Sequence, residues 1–467
     1  MLFSSIGFLF VFLPTVLAVY HLAPRRWNVR NAVLLTASLF FYAWGEPRFV
    51  LAMVASILFN YLAGLALDRT RGIVTARRPL LVLTLAGNLG LIGVFKYANF
   101  ITAALREWFP SWQGIVPQTS FLLPIGISFF TFQAISYVVD VFRGDVPAER
   151  NPMNLALYIS LFPQLVAGPI VRYSTVRGQI ASRETSWERF SSGVFRFVVG
   201  FNKKMLIANP MAEFADRIFA GGVPDCPQAW LGALAYTFQI YFDFSGYSDM
   251  AIGLGRMFGF EFLENFNYPY VSRTVTEFWR RWHMSLGTWF RDYLYFPMGG
   301  SRVGRLQLLF NLAVVWLATG LWHGANWTFI LWGVLYGTLI AFEKLTGWVD
   351  KVDRHSWLRA VYQPWTLLAV ICGWVLFRSP TIRSAGGYLV AMFGFGVETR
   401  MSAADCFWWR EAAILLVVAA LGSIPWMRRI RSPRLAACGY AVQLVLFLFG
   451  ISCLVMQAHN PFIYFNF

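Results

Sequence analysis

Charge is scarce in this chain. Asp, Glu, Lys and Arg make up 13% of residues, against roughly 25% in an ordinary soluble domain, which leaves no room for a large water-facing domain. Cysteine is also thin. Cys226, Cys372, Cys406, Cys438 and Cys453 are all there are. None forms a C-x-x-C pair or stands at metal-ligand spacing from a histidine. Three lie in or beside apolar runs, where a thiol serves as a small hydrophobe. Neither a disulfide framework nor a metal site is expected. A glycine-rich phosphate loop in a strand–helix setting is missing, which disfavours a nucleotide-driven pump, and no G-x-S-x-G elbow occurs. No repeat of 20 to 50 residues and no low-complexity tract is apparent, so a solenoid is not expected.

What fills the chain instead is apolar: 57% of residues are hydrophobic and 18% aromatic. Runs approaching the roughly 20 residues of a membrane helix occupy about 2–20, 31–44, 48–67, 79–98, 121–141, 154–171, 190–207, 229–258, 306–319, 327–342, 361–377, 411–426 and 435–457. The pattern predicts an all-α polytopic membrane protein of about ten to twelve spans, forming one domain over residues 1–467. Several runs carry internal Pro or Gly and should include re-entrant segments, which survive only where protein or a water-filled cavity satisfies the freed backbone.

Net charge is +16. Part of it is positive-inside bias. The remainder suits an anionic donor or acidic partner at the cytoplasmic face rather than nucleic acid. No basic residue precedes the first run, whereas Arg25, Arg26 and Arg30 follow it, so that run reads as an uncleaved span with its N-terminus outside. Arg69, Arg71, Arg77 and Arg78, and later Arg428, Arg429, Arg431 and Arg434, mark further inside loops. One span then follows, which puts the C-terminus outside. Both termini are therefore expected on the outer face.

The stretch from 273 to 327 organises the rest. Two of only five histidines fall in it, His283 and His323. Residues 273–305 combine six arginines with many aromatic rings, too charged for a span and too aromatic for a free loop, so an interfacial or re-entrant arrangement fits. The nearly uncharged stretch 306–342 would be about 55 Å long as a single helix, nearly twice a core about 30 Å thick. A break is therefore expected at Gly320 and Gly324, beside His323. A histidine inside membrane is either a functional base or a buried ring bonded to a carbonyl, and the residues alone leave both readings open. Asn326, three residues on, shares a face with His323 if the helix continues. Its amide or the Trp322 indole N–H could then steady an oxyanion, packing being the plainer role for both. Glu343 lies too far along a helix to orient His323. Asp140, Asp243 and Asp249 could be proton carriers, the plainer role being to pair with arginines of the basic segment.

Five motifs then carry a resemblance. They are Pro124-Ile-Gly-Ile-Ser-Phe-Phe-Thr-Phe-Gln133, Phe162-Pro-Gln-Leu-Val-Ala-Gly-Pro169, Phe242-Asp-Phe-Ser-Gly-Tyr-Ser-Asp249, Glu277-Phe-Trp-Arg-Arg-Trp-His-Met-Ser-Leu286 and Leu321-Trp-His-Gly-Ala-Asn-Trp327. In this order they resemble the membrane-bound O-acyltransferase (MBOAT) family, and within it the membrane subunits of bacterial alginate O-acetylation. The resemblance implies a catalytic core at about 121–345 around a central funnel or tunnel, His323 as the catalytic histidine and His283 as the second family position. It implies no bound cofactor, but a thioester donor (acetyl-CoA or an acyl carrier protein) from the cytoplasm. It also implies an exported polysaccharide as final acceptor and a periplasmic SGNH-type acetyltransferase as partner. By likeness to the D-alanylation system, the aromatic tail at 458–467 offers Tyr464 as an acyl relay, or else is an interface anchor. D-alanyl transfer to teichoic acid is the rival inside the family. A polysaccharide or ion transporter without chemistry is the rival outside it.

Overall fold

The computed structural model describes residues 1–166, 168–426, 433–456 and 463. Among them every regular element is helical, as the runs predict. Among the described residues six helices are long and apolar enough to cross a membrane: Val50–Arg69, Thr75–Trp108, Arg305–His323, Trp327–Leu345, Ser356–Arg378 and Ala437–Met456. Other apolar runs are taken up by shorter helices. The first becomes Phe8–Leu22. The run at 154–171 becomes Pro152–Ser160 and Phe162–Leu165, interrupted at Leu161 because Pro163, lacking an N–H, is tolerated only in the first turn of a new helix.

The chain packs as two compact units, residues 1–197 with 248–263 and residues 198–247 with 264–467. The helix Cys226–Met257 contributes to both.

In the first unit, the helices Trp27–Gly45 and Val50–Arg69 meet at the predicted turn around Gly45-Glu-Pro. An amide buried in an apolar span must find a partner. Asn60 and Asn88, on neighbouring helices, serve each other with N···O distances of 3.0 and 2.8 Å. Asp249 pairs with Arg196 at 2.6 Å.

The second unit has an aromatic core that includes Trp282, Trp316, Trp332, Trp374, Tyr336 and Phe377. At its centre stands the antiparallel pair Arg305–His323 and Trp327–Leu345. Glycine lets the two backbones touch: a Cβ on Gly320 would lie 2.4 Å from the Phe329 carbonyl oxygen, and one on Gly333 would lie 2.4 Å from that of Trp316. Gly333 and Gly337 supply the small-residue spacing that such close crossings use. The expected break is therefore half right. The first helix runs through Gly320 and ends at His323, and the chain is extended at Gly324. Gly320 is a packing residue.

Candidate active site

His323 is the last residue of its helix, where the chain turns back. Its ring is 3% exposed and meets three other rings nearly edge-on: Trp322 at 5.0 Å, Trp332 at 5.0 Å and Phe377 at 5.1 Å. Edge-to-face contacts of this kind fix a ring without consuming its nitrogens. The Trp332 indole N–H is buried and has no acceptor among the described residues.

His283 reaches the same place by another route. It sits between the short helices Val275–Arg281 and Met284–Phe290, at φ 45°. This is a left-handed backbone that few non-glycine residues adopt. Two capping devices set the first short helix. Thr274 accepts the Glu277 amide at 3.1 Å, and Glu277 in turn accepts the Arg273 amide at 2.9 Å. Glu343, wholly buried, accepts the amides of Val275 and Thr276 at 2.8 and 2.7 Å and the Tyr362 hydroxyl at 3.1 Å. A carboxyl at a helix N-terminus satisfies orphan amides and favours the dipole. Glu343 thus anchors the helix that delivers Trp282 and His283. The sequence excludes it as a partner of His323 but does not reveal this task.

Asn265 orients the His283 ring. Its Oδ1 accepts the Ser285 amide at 3.2 Å and the Ser285 hydroxyl at 2.9 Å, and lies 3.2 Å from His283 Nδ1. A backbone N–H is an unambiguous donor, so this atom is the amide oxygen, and the imidazole must present Nδ1–H to it. The Nε2 of the neutral ring then keeps its lone pair. Burial pushes the His283 pKa well below the ordinary imidazole value, so the ring is neutral near pH 7. Phe244 packs edge-on at 4.6 Å on His283.

The two histidines, 40 positions apart in sequence, meet through one residue. The Trp322 indole centroid is 5.8 Å from that of His283 and 5.0 Å from that of His323. Trp322 is therefore in the site. Asn326 is not beside the ring, because the helix that would carry it there has ended. It caps the next helix instead, accepting the Thr328 amide at 3.2 Å and donating to the Pro380 carbonyl at 2.9 Å.

The acids also differ from expectation. Asp249 and Asp243 do pair with cations, but with Arg196 and Lys204 (2.6 and 2.7 Å), not with arginines of the 273–305 segment. Asp140 is buried in the helix Ile127–Arg143. Asp243 also accepts the backbone N–H of Ile463 at 2.9 Å, and Ile463 is buried in the aromatic core. Tyr464 lies outside the described residues. Among those described, no group of three or more His, Cys, Asp or Glu side chains has a metal-site arrangement, and the five cysteines are free thiols.

Two comparisons bear on this site. The sequence profile of the MBOAT, membrane-bound O-acyltransferase family matches residues 147–379, which include both histidines. The chain is 47% identical over 398 residues to the "Probable alginate O-acetylase AlgI" of Azotobacter vinelandii, covering 85% of this chain and 79% of that one. It is 41% identical over the whole of both chains to the protein of the same name from Pseudomonas putida. It is also 35% identical over 420 residues to the "Peptidoglycan O-acetyltransferase" of Helicobacter pylori, covering 84% and 78%. With identity of this extent and a buried histidine pair in the matched region, the chain belongs to the membrane-bound O-acyltransferase family and is a multi-pass membrane O-acyltransferase.

Proposed function

We propose that the enzyme takes an acetyl group from a cytoplasmic thioester, acetyl-CoA or an acyl carrier protein, and passes it across the bacterial inner membrane for O-acetylation of an exported polysaccharide such as alginate. The observation that carries this reading is the joining of His283 and His323 through Trp322 in a buried aromatic setting. The names of the relatives from Azotobacter vinelandii and Pseudomonas putida support alginate as the acceptor.

The chemistry needs a base, a donor to the oxyanion and a dry site. A hydroxyl oxygen attacks the thioester carbonyl while neutral His323 takes its proton. The carbonyl π-electrons move onto oxygen, where an indole N–H can stabilise them. Trp322 and Trp332 are the candidates, in place of Asn326. The tetrahedral intermediate then expels the thiolate, which leaves with the proton from His323. Water exclusion by the surrounding rings strengthens each of these interactions. His283, held neutral by burial and oriented by Asn265, positions Trp322 and the bound acyl group.

The first acceptor is Tyr464. Its neighbour Ile463 is tied to Asp243, and Asp243 precedes the Phe244 that packs on His283. A phenol with an ordinary pKa near 10 needs an adjacent base to attack. From Tyr464 the acetyl group passes to a periplasmic SGNH-type acetyltransferase and then to the glycan, with both termini of this chain on the periplasmic side.

The test is acetyl transfer by the purified protein in proteoliposomes, with labelled acetyl-CoA or acetyl-carrier supplied on one side. Wild type should yield an acetylated C-terminal peptide by mass spectrometry when the downstream partner is withheld. Tyr464→Phe should bind donor but form no adduct and acetylate no glycan. Full glycan acetylation by Tyr464→Phe would leave the tail as an anchor only. Transfer of D-alanine and not acetyl from a loaded carrier would replace the reading with its teichoic acid rival. A cysteine placed at Asn466 that only a membrane-permeant reagent labels would overturn the orientation.

A further inference from the structure

The first unit contains a charged cavity that the acyl-transfer chemistry leaves unused. About 440 Å³ in volume, it is lined by Arg25, Arg30, Arg183 and Arg256 together with Trp27 and Trp187, and among the described residues no acidic side chain lines it. Acids do stand at its edge: Glu261 pairs with Arg256 of the lining at 3.3 Å, Glu184 pairs with Arg189 at 3.2 Å, and Glu188 bonds to Ser186, but among the described residues none pairs with Arg30 or Arg183. Two of the arginines are unusually deep. Arg30 is 4% exposed and Arg183 6%.

Their positions concentrate positive charge. Arg183 stacks over Trp27 at 4.9 Å and over Tyr20 at 5.6 Å, and Arg30 over the same two rings at 5.6 and 5.1 Å. The two guanidiniums thus share one pair of aromatic rings. Arg183 spends Nε on the Tyr20 hydroxyl and the Phe258 carbonyl, and Nη1 on Asn31 and the Gln179 carbonyl. Its Nη2 and the Nε of Arg30 are buried donors with no acceptor among the described residues. Burial, opposed by Tyr20 and reinforced by the charge of Arg30, presses the Arg183 pKa below its ordinary value. Two neighbouring buried cations are costly without an anion between them. The helix Trp187–Lys203 begins at the cavity, where Thr185 and Ser186 line the wall. The first turn of that helix is already capped within the chain, the Ser186 hydroxyl accepting the Arg189 amide at 3.2 Å, so the guanidiniums are the donors the cavity offers.

Paired guanidiniums with unsatisfied N–H donors are phosphate chemistry. The surroundings decide which phosphate. Val19 and Leu22, on the helix that leads to the cavity, are 48% and 86% exposed, and Trp187 at its rim is 75% exposed. Such an apolar flank with tryptophans suits a membrane interface. It offers a surface for acyl chains that a soluble phosphate compound would not use. The positive-inside reading places Arg25 and Arg30 at the cytoplasmic leaflet, and basic pockets between helices on that side hold lipid head groups.

We propose that this cavity binds the phosphate of an anionic phospholipid of the cytoplasmic leaflet, with Arg30 and Arg183 as its principal ligands and Arg25 at the entrance. The full-length protein, delipidated in detergent, is titrated with phosphatidylglycerol, phosphatidylcholine, inorganic phosphate or coenzyme A. Bound lipid is read by native mass spectrometry and thermal stability by fluorescence. Phosphatidylglycerol should be retained and should raise the melting temperature, while phosphatidylcholine does so weakly. Arg30→Gln should weaken phosphatidylglycerol binding by about tenfold or more, the usual scale for a lost charge-assisted hydrogen bond. Arg25→Gln, at an exposed position with little risk to folding, should weaken it severalfold and keep acyl transfer. Equal retention by wild type and both variants would overturn the site. Stabilisation by coenzyme A or inorganic phosphate, with none from phosphatidylglycerol, would overturn the lipid assignment.

Discussion

His283 and His323 are buried to nearly the same degree, 2% and 3% exposed, yet the chain holds them by different means. His323 closes a helix and is walled by Trp322, Trp332 and Phe377. His283 occupies a strained joint between two short helices and is clamped by the Asn265 amide. Aromatic edges restrict a ring through packing. An amide oxygen on Nδ1 fixes the tautomer. This division suits a base in the first case and a positioning group in the second.

Breaking the two sites should therefore have unequal effects. His323→Ala removes the proposed base and should cost about 10² to 10⁴ in rate while expression and membrane insertion remain normal. Acetyl transfer in membranes, scaled to protein level, measures it. Transfer near the wild-type rate would transfer the role of base to another group. The same assay with His283→Ala should show a smaller loss, with a weaker apparent affinity for the donor alongside it. Equal losses in kcat with no change in KM would erase the distinction between the two rings.

Asn265→Asp sharpens the comparison through pH. A carboxylate beside Nδ1 favours the charged imidazole, so the substitution should raise the pKa that burial holds down in the wild type. Activity of the variant should then fall as pH drops through the new value, in a range where the wild type is still flat. A pH–rate profile unchanged by the substitution would show that the protonation state of His283 has no bearing on turnover.

Much of this arrangement is legible in the sequence, and the exceptions share a cause. The all-α membrane class, the turn at Gly45, the helix break beside His323 and the two histidines can all be read from composition, hydropathy and motif. The role of Gly320 cannot, because next to His323 a packing glycine and a helix-ending glycine look alike. Only the carbonyl of Phe329, 2.4 Å from where a Cβ would stand, separates them. Asn265 gives no spacing signal, since it clamps a histidine 18 positions on by way of a tertiary loop. Asp243 and Asp249 read correctly as ion-paired, but their partners lie on the chain at 196–204, and a sequence does not show which of 39 cations folds nearest.

The packing claim has its own test. Gly333→Ala places a methyl against the Trp316 carbonyl, where backbone rather than a flexible side chain must yield. Overpacking of this sort typically costs about 1–3 kcal/mol. The melting temperature in detergent should drop, and turnover should fall with it, because the same helix pair positions His323 and Trp332. An unchanged melting temperature would mean that the two helices separate at no cost.

Asn326→Ala should have the smallest effect and separates capping from catalysis. As an N-cap it satisfies one orphan amide, that of Thr328, and its side chain also donates to the Pro380 carbonyl. Replacing such a cap costs about 1 kcal/mol, and the lost contact to Pro380 adds to that. An oxyanion donor behaves differently: its loss costs about 10² to 10³ in kcat without a matching loss of stability. The cap reading predicts a modestly lower melting temperature with kcat within a few-fold of wild type. Asn326→Asp should restore the capping share of the stability, since aspartate caps as well as asparagine, although it can donate an N–H neither to the Pro380 carbonyl nor to an oxyanion. If Asn326→Asp regains stability and keeps turnover, Asn326 is a cap. If it regains stability while turnover stays lost, the amide N–H belongs to the reaction, and the chain must rearrange at Gly324 on binding donor to bring it to His323.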